Sequence, residues 1–236
     1  MRHVAAKADD AASATLLRLV RPDESEAVHH VHLAVRRTLL DRRFMYEHGR
    51  DFFRDVASGG GRLVGAYRDD ELIGYLAFHF GQETHSSHWR HLHHLSVPAG
   101  EIAEGAGGGI LQQSRRRGLF TRLLRKRYDV ARELGLKFQT SIVAPDNIAC
   151  LRSLLEEGCL IAARYEDQDG DNYLLLKSLV GRVPLHELPG CPVALDDVAS
   201  NLRFLRSGFC GVPCGNGEAL RVRYVRAVAL PTSSNP

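Results

Sequence analysis

Apolar residues recur at regular intervals along most of the chain, and their spacing predicts alternating strands and helices. Leu16–Arg21 is mostly apolar and predicts a first strand, which Pro22 ends. Ser25 is a suitable N-cap for a helix with apolar residues every three or four positions. A second helix is predicted over Met45–Val56, before a Ser-Gly-Gly-Gly run. The apolar residues of the first helix are Val28, Val31, Val35 and Leu39.

A hairpin is predicted after these helices, and a stretch without a clear period follows it. The hairpin strands are Arg62–Tyr67 and Leu72–Phe80, joined by four charged residues. Residues 81–107 contain a cluster of histidines at 85–94 and then many glycines and alanines. We interpret the histidine cluster as an exposed polar loop. A short strand, Ile110–Gln112, then leads into an Arg-Arg-Arg-Gly turn.

The pattern after this turn is plainly helical from Gly118 to Gly135, with apolar residues on one face. Strand Lys137–Val143 and helix Asn147–Glu157 are predicted next, and Gly158 ends that helix. Two further strands are predicted near Leu160–Tyr165 and Tyr173–Lys177. This order of elements predicts an α/β (α+β) fold, a mixed sheet with helices on both faces.

The last quarter of the chain is interrupted by glycine and proline. Leu179–Pro192 is typical of a linker, and helix Asp196–Arg206, a turn at 207–209 and strand Ala219–Val228 follow it. This order is similar to that of Asn147–Lys177, which leaves two alternatives. The unit is a second, similar half, or it is an extra helix and strand that packs on the sheet or on a partner subunit. We expect a mobile N-terminal arm over residues 1–15, one domain over 16–180, a linker and C-terminal extension over 181–236, and a frayed tail over 231–236.

Composition and charge exclude several classes of protein. The 236 residues are 44% apolar and 25% charged, as in ordinary globular proteins, and the formal net charge is +3. That charge is too small to imply nucleic-acid binding by itself. No apolar run approaches the ~18 residues that a membrane span needs, and the first residues lack the apolar core of a secretory signal. We therefore expect a soluble, cytoplasmic protein without a nucleic-acid or membrane partner.

Basic residues concentrate where the predicted strand at 110–112 meets the helix after Gly118. The free N–H groups and the positive dipole end of that helix would converge there and form an anion site. Gly118 would let the backbone approach a phosphate closely. Seven basic side chains and no acidic one occupy the segment, which suits a small polyanion. They are Arg115, Arg116, Arg117, Arg122, Arg125, Lys126 and Arg127.

Two further features follow the basic loop in order. The segment 143–147 ends the next strand with Asn147, and the helix after it ends at Gly158. Together with the loop Arg115-x-x-Gly118-x-Phe120, they resemble the Gcn5-related N-acetyltransferase (GNAT) superfamily. In that superfamily an Arg/Gln-x-x-Gly-x-Gly/Ala loop wraps the pyrophosphate of acetyl-CoA. An Asn-bearing strand end and the helix after it flank the pantetheine.

The resemblance covers roughly Leu16–Leu179 and implies a GNAT-type, mostly antiparallel twisted sheet. It implies acetyl-CoA as co-substrate and transfer of the acetyl group to a primary amine by direct attack in a ternary complex. A splayed strand pair near Ile110–Gln112 would polarise the thioester carbonyl. The cofactor-binding residues that it implies are Ile110, Leu111, Gln112, Arg115, Arg116, Arg117, Gly118, Leu119, Phe120, Thr121 and Asn147.

Two residues depart from the superfamily pattern. Phe120 stands where the superfamily usually has Gly or Ala, which would make the phosphate turn less open. Leu154 stands where many members carry a Tyr that protonates the departing thiolate. A non-catalytic CoA-binding sensor or regulatory module is therefore the alternative to an enzyme.

The acceptor and the acid–base groups stay open at this point. Amino sugars, amino acids, polyamines and protein amines all fit a small-molecule or peptide acceptor, and a homodimer is left open. His94 and Glu83 are candidates for the base that deprotonates the amine, and catalytic residues stay unassigned. We expect no metal, since the histidine cluster lacks a His-Glu-x-x-His pattern and the pair Cys210 and Cys214 has no second pair. An odd number of cysteines in a chain of this length favours free thiols.

Overall fold

A computed structural model describes residues 15–81, 88–181, 183, 185–186, 192–215, 218 and 220–227 of the chain. The predicted arm, apart from Thr15, and the predicted frayed tail lie outside the described residues. No helix in the described ranges is long and apolar enough to cross a membrane. The helices there are α1 (Ser25–Arg37), α2 (Arg50–Asp55), α3 (Leu119–Glu133), α4 (Ile148–Glu156) and α5 (Val198–Arg206).

The strands of the described residues form a single twisted sheet. Their order across it is β1-β2-β3-β4-β5-β7-β6-β10-β11-β8, and β9 pairs with β11. Every pairing is antiparallel except that of β4 with β5, which is parallel. The strands are β1 (Leu16–Leu19), β2 (Gly61–Arg68), β3 (Glu71–Phe80), β4 (Ile102–Ile110), β5 (Phe138–Val143), β6 (Leu160–Asp167), β7 (Gly170–Ser178), β8 (Leu185–His186), β9 (Val193–Ala194), β10 (Phe209–Cys214) and β11 (Arg221–Ala227).

Helices cover both faces of this sheet, as predicted. The apolar faces of α3, α4 and α5 pack on one face, in a core that includes Leu123, Leu151 and Leu205. Helices α1 and α2 pack on the other face near the N-terminal strands, around Val28 and Phe53. A third core lies on the same side as α1 and α2, below the turns of residues 88–101. The predicted fold class is therefore confirmed.

Strand β4 corrects the prediction for residues 81–112. We predicted an irregular stretch up to 107 and a short strand at Ile110–Gln112, but the strand covers Ile102–Ile110 and a tight turn follows it at Gln112–Ser114. Its glycines lack the side chains whose apolar and polar alternation would predict a strand. They are needed because neighbouring atoms occupy the Cβ positions: a Cβ on Gly108 would lie 2.2 Å from Leu76 Cδ2.

The second predicted helix is also shorter in the structure. We predicted Met45–Val56, but α2 begins at Arg50 and a wide turn over 56–60 follows it. Met45 has an extended backbone, with φ −158° and ψ 116°, and its side chain is 7% exposed. Burial of this side chain against α1 and β4 therefore overrides its helix propensity.

The C-terminal extension continues the same sheet through the pairing of β10 with β6 at Gly211 and Ile161. Strand β10 was not predicted, because Gly211 and Pro213 interrupt its pattern. Helices α4 and α5 are both nine residues long and both start at an Asx cap. The cap oxygens of Asn147 and Asp197 accept from the amides of Cys150 at 3.3 Å and Ser200 at 3.1 Å. The likeness between the two units is thus present in their geometry, and the division into an arm, a domain and an extension stays a prediction.

Candidate acyl-transfer site

A cleft of about 480 Å³ lies between α1, the end of β4 and the first turns of α3 and α4, and we call it the cofactor cleft. Its apolar wall comes from α1 and the residues after it. Its polar wall comes from the Arg-rich turn and the N-terminus of α4. The sequence analysis missed the apolar wall, which consists of Val35, Leu39, Phe44 and Met45.

Eight of the eleven residues that the sequence suggests for CoA binding line the cofactor cleft. They are Ile110, Arg115, Arg116, Gly118, Leu119, Phe120, Thr121 and Asn147. The structure places the other three elsewhere. Leu111 packs into the cores on both faces of the sheet, and Gln112 and Arg117 are exposed outside the cleft.

The N-terminus of α3 presents unpaired amides to the cofactor cleft. The first amides of a helix have no intrahelical partner, and within the described ranges the first to donate back is that of Arg122, to Gly118 O at 3.1 Å. Gly118 has φ +66°, a left-handed conformation that favours glycine, and a Cβ there would meet nothing within 4 Å. The turn is therefore open, and the helix dipole favours an anion at this place.

Most of the seven basic side chains do not face the cofactor cleft, which corrects the simple expectation of a cationic patch. Arg115 lines the cleft, and its guanidinium donates to Ile110 O at 2.9 Å and to Thr38 Oγ1 at 2.7 Å. Arg125 is paired with Glu157 at 2.8 Å on the surface. Arg127 points the other way and is only 3% exposed. Only Arg115 and Arg116 of these cations line the cleft.

Strands β4 and β5 diverge and leave a wedge between them. Their parallel pairing ends at Glu104 and Thr140, and β5 continues with β7 alone while β4 continues with β3. A cavity of about 90 Å³ fills the wedge and shares Gly108, Phe120 and Cys150 with the cofactor cleft. We call it the wedge cavity. Among the described residues, β4 and β5 are not paired with each other beyond Glu104 and Thr140.

Leu154 lines the wedge cavity from α4 and is 2% exposed. It belongs to the same core as Leu151 and Leu155. The residue is thus both a core residue and a neighbour of the wedge. Its side chain has no group that donates a proton.

A second cavity, of about 290 Å³, opens on the side of the sheet that carries α1 and α2. We call it the histidine cavity, because His48, His79 and His88 line it, and it shares Gly105, Gly107 and Gly108 with the wedge cavity. Its polar wall also includes Tyr46, Tyr165 and Asn172, and Arg43, whose guanidinium is paired with Asp41 and Asp146.

Glu104 is the only carboxylate among the described residues that line the histidine cavity. It is 9% exposed, and its Oε1 accepts a hydrogen bond from the His88 amide at 2.9 Å. Sequence analysis missed this residue because β4 was not recognised as a strand. An acidic residue beside a glycine-rich run was the only signal available.

Burial keeps the imidazoles of this region neutral. It lowers the pKa of His48 to about 4 and that of His88 to about 3, and it lowers the pKa of His79 as well. Behind them, the His48 amide donates to His32 Nε2 at 3.1 Å, and Tyr75 Oη lies 2.7 Å from His32 Nδ1. His32 Nδ1 therefore carries the proton and donates a hydrogen bond to Tyr75 Oη. Burial lowers the pKa of His32 to about 4.

Of the two base candidates from the sequence, His94 does not line these cavities. His94 Nε2 is hydrogen-bonded to Ala162 O at 3.1 Å, next to Cys210, and Glu83 lies outside the described residues. Within the described ranges no group of three or more His, Cys, Asp or Glu side chains could hold a metal ion. The four described cysteines are free thiols, namely Cys150, Cys159, Cys210 and Cys214.

The sequence model of the acetyltransferase (GNAT) family matches residues 25–158, which is more than half of the chain. The chain belongs to the GNAT acetyltransferase family. The matched residues of this GNAT protein include α1, the wedge, α3 and α4, so they supply every element of the cofactor cleft. No curated protein matches the sequence significantly.

Solved GNAT structures share the fold of this chain at low sequence identity. A putative acetyltransferase, yncA from Salmonella typhimurium with its cofactor acetyl-CoA, superposes with TM-score 0.54 at 17% identity, over 75% of this chain and 98% of that one. Arabidopsis thaliana NAA60 in complex with acetyl-CoA gives TM-score 0.54 at 18% identity, over 71% and 100%. Ard1 from Thermoplasma volcanium gives TM-score 0.54 at 15% identity, over 71% and 99%.

Proposed function

We propose that this GNAT protein is an N-acetyltransferase that moves the acetyl group of acetyl-CoA to a primary amine by direct attack. The observation that carries the proposal is the wedge between β4 and β5. It connects the cofactor cleft, with its open amides, to the histidine cavity, which holds the carboxylate of Glu104. Donor and acceptor would thus meet at one opening in the sheet.

The residues of the cofactor cleft fit coenzyme A. The open turn at Gly118, the amides at the start of α3 and the side chains of Arg115 and Arg116 would hold the pyrophosphate. Asn147 and the first turn of α4 would flank the pantetheine. When bound, the CoA thioester supplies an activated carbonyl carbon and a thiol leaving group.

The histidine cavity suits an amine that arrives as an ammonium ion. Glu104 would attract the cation and accept its proton, and the neutral imidazoles would not repel it. The rings of Tyr46 and Tyr165 would add favourable contacts with a cation. Amides of β4 in the wedge would stabilise the negative charge that develops on the carbonyl oxygen. A small-molecule or peptide amine is the expected acceptor class.

The alternative function is a CoA-binding module without turnover, and Leu154 is the observation that favours it. A panel of amines, assayed for thiol release from acetyl-CoA, separates the two. We expect release with at least one primary amine. Binding of CoA with no release for any amine would favour the sensor.

Glu104→Gln tests the role of the carboxylate, with Glu101→Gln as the matched control. Glu101 precedes β4 on the surface and is paired with Lys137 at 2.6 Å. We expect Glu104→Gln to lower kcat by about 10²–10⁴-fold with CoA affinity unchanged, whereas Glu101→Gln leaves kcat near wild type. Equal rates in both variants would remove Glu104 from the mechanism.

A further inference from the structure

The wedge cavity has a buried cation at its inner side. Arg127 projects from α3 toward β4 and β5, lines the wedge cavity and is 3% exposed. A buried guanidinium is unfavourable unless a counter-charge or a full set of hydrogen bonds stabilises it. The hydrogen-bond and charge partners of Arg127 therefore determine whether its buried charge is stabilised within the protein.

Those partners are too few for a buried charge. Nη2 donates to Ser141 Oγ at 3.1 Å, and the guanidinium carbon lies 6.0 Å from the centre of the Tyr128 ring. Nε is buried without a hydrogen-bond partner. Among the described residues no carboxylate lies within 4.0 Å of the guanidinium. Desolvation by burial is the largest influence on the pKa of Arg127 and lowers it, against a smaller raising influence of Tyr128.

The path from the wedge to this cation is kept open by glycine. Neighbouring residues of a strand point to opposite faces, so Glu104 faces the histidine cavity and position 105 faces α3. A Cβ on Gly105 would lie 3.3 Å from Arg127 Nη1 and 2.5 Å from Thr140 O. The wedge cavity of about 90 Å³ has room for several non-hydrogen atoms beside the guanidinium.

We propose that the wedge accepts acyl groups that end in a carboxylate, and that Arg127 pairs with that carboxylate. The donor class is the CoA monothioester of a short dicarboxylic acid. This inference rests on the proposed acyl transfer. It predicts that the acidic donor binds more tightly than acetyl-CoA. A carboxylate supplies the counter-charge that Arg127 lacks, and planar guanidinium binds it through two parallel hydrogen bonds.

The transfer step is the same for this donor as for acetyl-CoA. The lone pair of the neutral amine attacks the thioester carbon, a C–N bond forms, and the C–S bond breaks with its electron pair on sulfur. Glu104 has already taken one proton from the ammonium ion to give the neutral amine. The second proton, which the nitrogen loses as the amide forms, goes to the thiolate and gives the CoA thiol. The products are an amide with a free terminal carboxylate and CoA.

Donor affinities test the proposal without an acceptor. We would measure the Kd of CoA, acetyl-CoA, butyryl-CoA, malonyl-CoA and succinyl-CoA by calorimetry, for wild type, Arg127→Met and Arg125→Met. Butyryl-CoA controls for chain length, and Arg125 is an exposed arginine of the same helix. We expect wild type and Arg125→Met to bind an acidic donor at least tenfold tighter than butyryl-CoA. In Arg127→Met that preference is lost or reversed, and affinity for CoA itself is unchanged.

Each other outcome has a definite meaning. If wild type binds CoA but has equal Kd values for acidic and neutral donors, the proposed donor class is wrong and the proposed function still stands. Persistence of the preference in Arg127→Met places the carboxylate elsewhere and also overturns it. Failure of CoA and every thioester to bind overturns the proposed function itself. If Arg127→Met does not fold, the wild-type comparison still decides, and Ser141→Ala, which frees Nη2 for the carboxylate, should keep or strengthen the preference.

Discussion

Gly118 directly precedes α3, and Gly135 lies two residues after its last residue, Glu133; both have a left-handed backbone, with φ of +66° and +79°. A Cβ on either residue meets no atom within 4 Å. Both positions therefore favour glycine because of their backbone conformation, and a side chain at either one would meet no steric obstacle. They differ in their surroundings, since only Gly118 lines the cofactor cleft.

Replacing each glycine by valine separates ligand binding from backbone strain. A left-handed backbone costs an L-residue about 1–2 kcal/mol, so Gly118→Val and Gly135→Val should lower stability to a similar extent in urea unfolding. Only Gly118→Val should weaken CoA binding, by tenfold or more, because its side chain would stand where amides must reach phosphate. Arg116→Ala should cost less affinity, since backbone groups carry much of the contact. Normal CoA binding by Gly118→Val would mean that phosphate lies elsewhere.

CoA should stabilise the folded protein, and other nucleotides should do so much less. At about 100 times Kd a ligand adds about 2.7 kcal/mol to the free energy of unfolding, which raises Tm by roughly 5–10 °C for a chain of this size. Differential scanning fluorimetry with CoA, acetyl-CoA, NAD and ATP measures this directly. Equal shifts with all four ligands, or no shift with CoA, would contradict the assignment of the cofactor cleft.

Leu154→Tyr should lower the stability of the protein without raising the rate of acetyl transfer. Leu154 is 2% exposed in a packed core, so a phenol there is overpacked and costs about 1–3 kcal/mol. Leu154→Met, which conserves volume, should cost less than about 1.5 kcal/mol. Tm and the single-turnover rate of acetyl transfer are measured on each variant. A phenol that leaves Tm unchanged and raises the rate would show that this position faces the sulfur and lacks only an acid.

Stability should fall as the pH drops from about 6.5 to 5. The unfolded chain binds protons on its histidines near pH 6.5, while burial holds the folded pKa of His32 at about 4 and that of His88 at about 3. The unfolded state therefore gains protons that the folded state rejects. Each such histidine lowers the free energy of unfolding by about 1.5 kcal/mol between pH 6.5 and 5, because the unfolded imidazole is already half protonated at pH 6.5.

Urea unfolding at several pH values between 7.5 and 5 measures this slope. His32→Asn should reduce it, with some loss of stability at pH 7.5 because Tyr75 loses a partner. His30→Gln is the control, since His30 is exposed on the same helix and pairs with Glu26. A slope that is identical in wild type and His32→Asn would contradict the account.

The helices around the site could be predicted from the sequence because their period and their ends agree. For α3, the apolar face and the glycine near each end predict the same helical segment. The structure confirms a helix at Leu119–Glu133. The helical spacing of α3 also indicates that Arg127 is buried. Arg127 lies four residues after Leu123 and four before Ala131, so it falls on the apolar face. Its charge groups it with its basic neighbours, but its position on the helix separates it from them.

The wedge could not be predicted in the same way. Its strand β4 has four glycines between positions 105 and 109, so no side chains mark its two faces. The reason for these glycines is tertiary: Val35 and Met45 from elsewhere in the chain occupy the space beside Gly109. The carboxylate of Glu104 and the cavity around it depend on that strand, so the acceptor side of the site became visible only in three dimensions.

The pairing of β6 with β10 covers an edge of the sheet that could otherwise pair with another chain. Without residues 181–236, β6 would be a sheet margin with Ile161 and its neighbours exposing unpaired N–H and C=O groups. Such a margin is a template for strand exchange between molecules. The C-terminal unit moves the margin outward to the two-residue strand β8, which is too short to recruit another chain. A chain cut at residue 180 should therefore keep the cofactor cleft and aggregate.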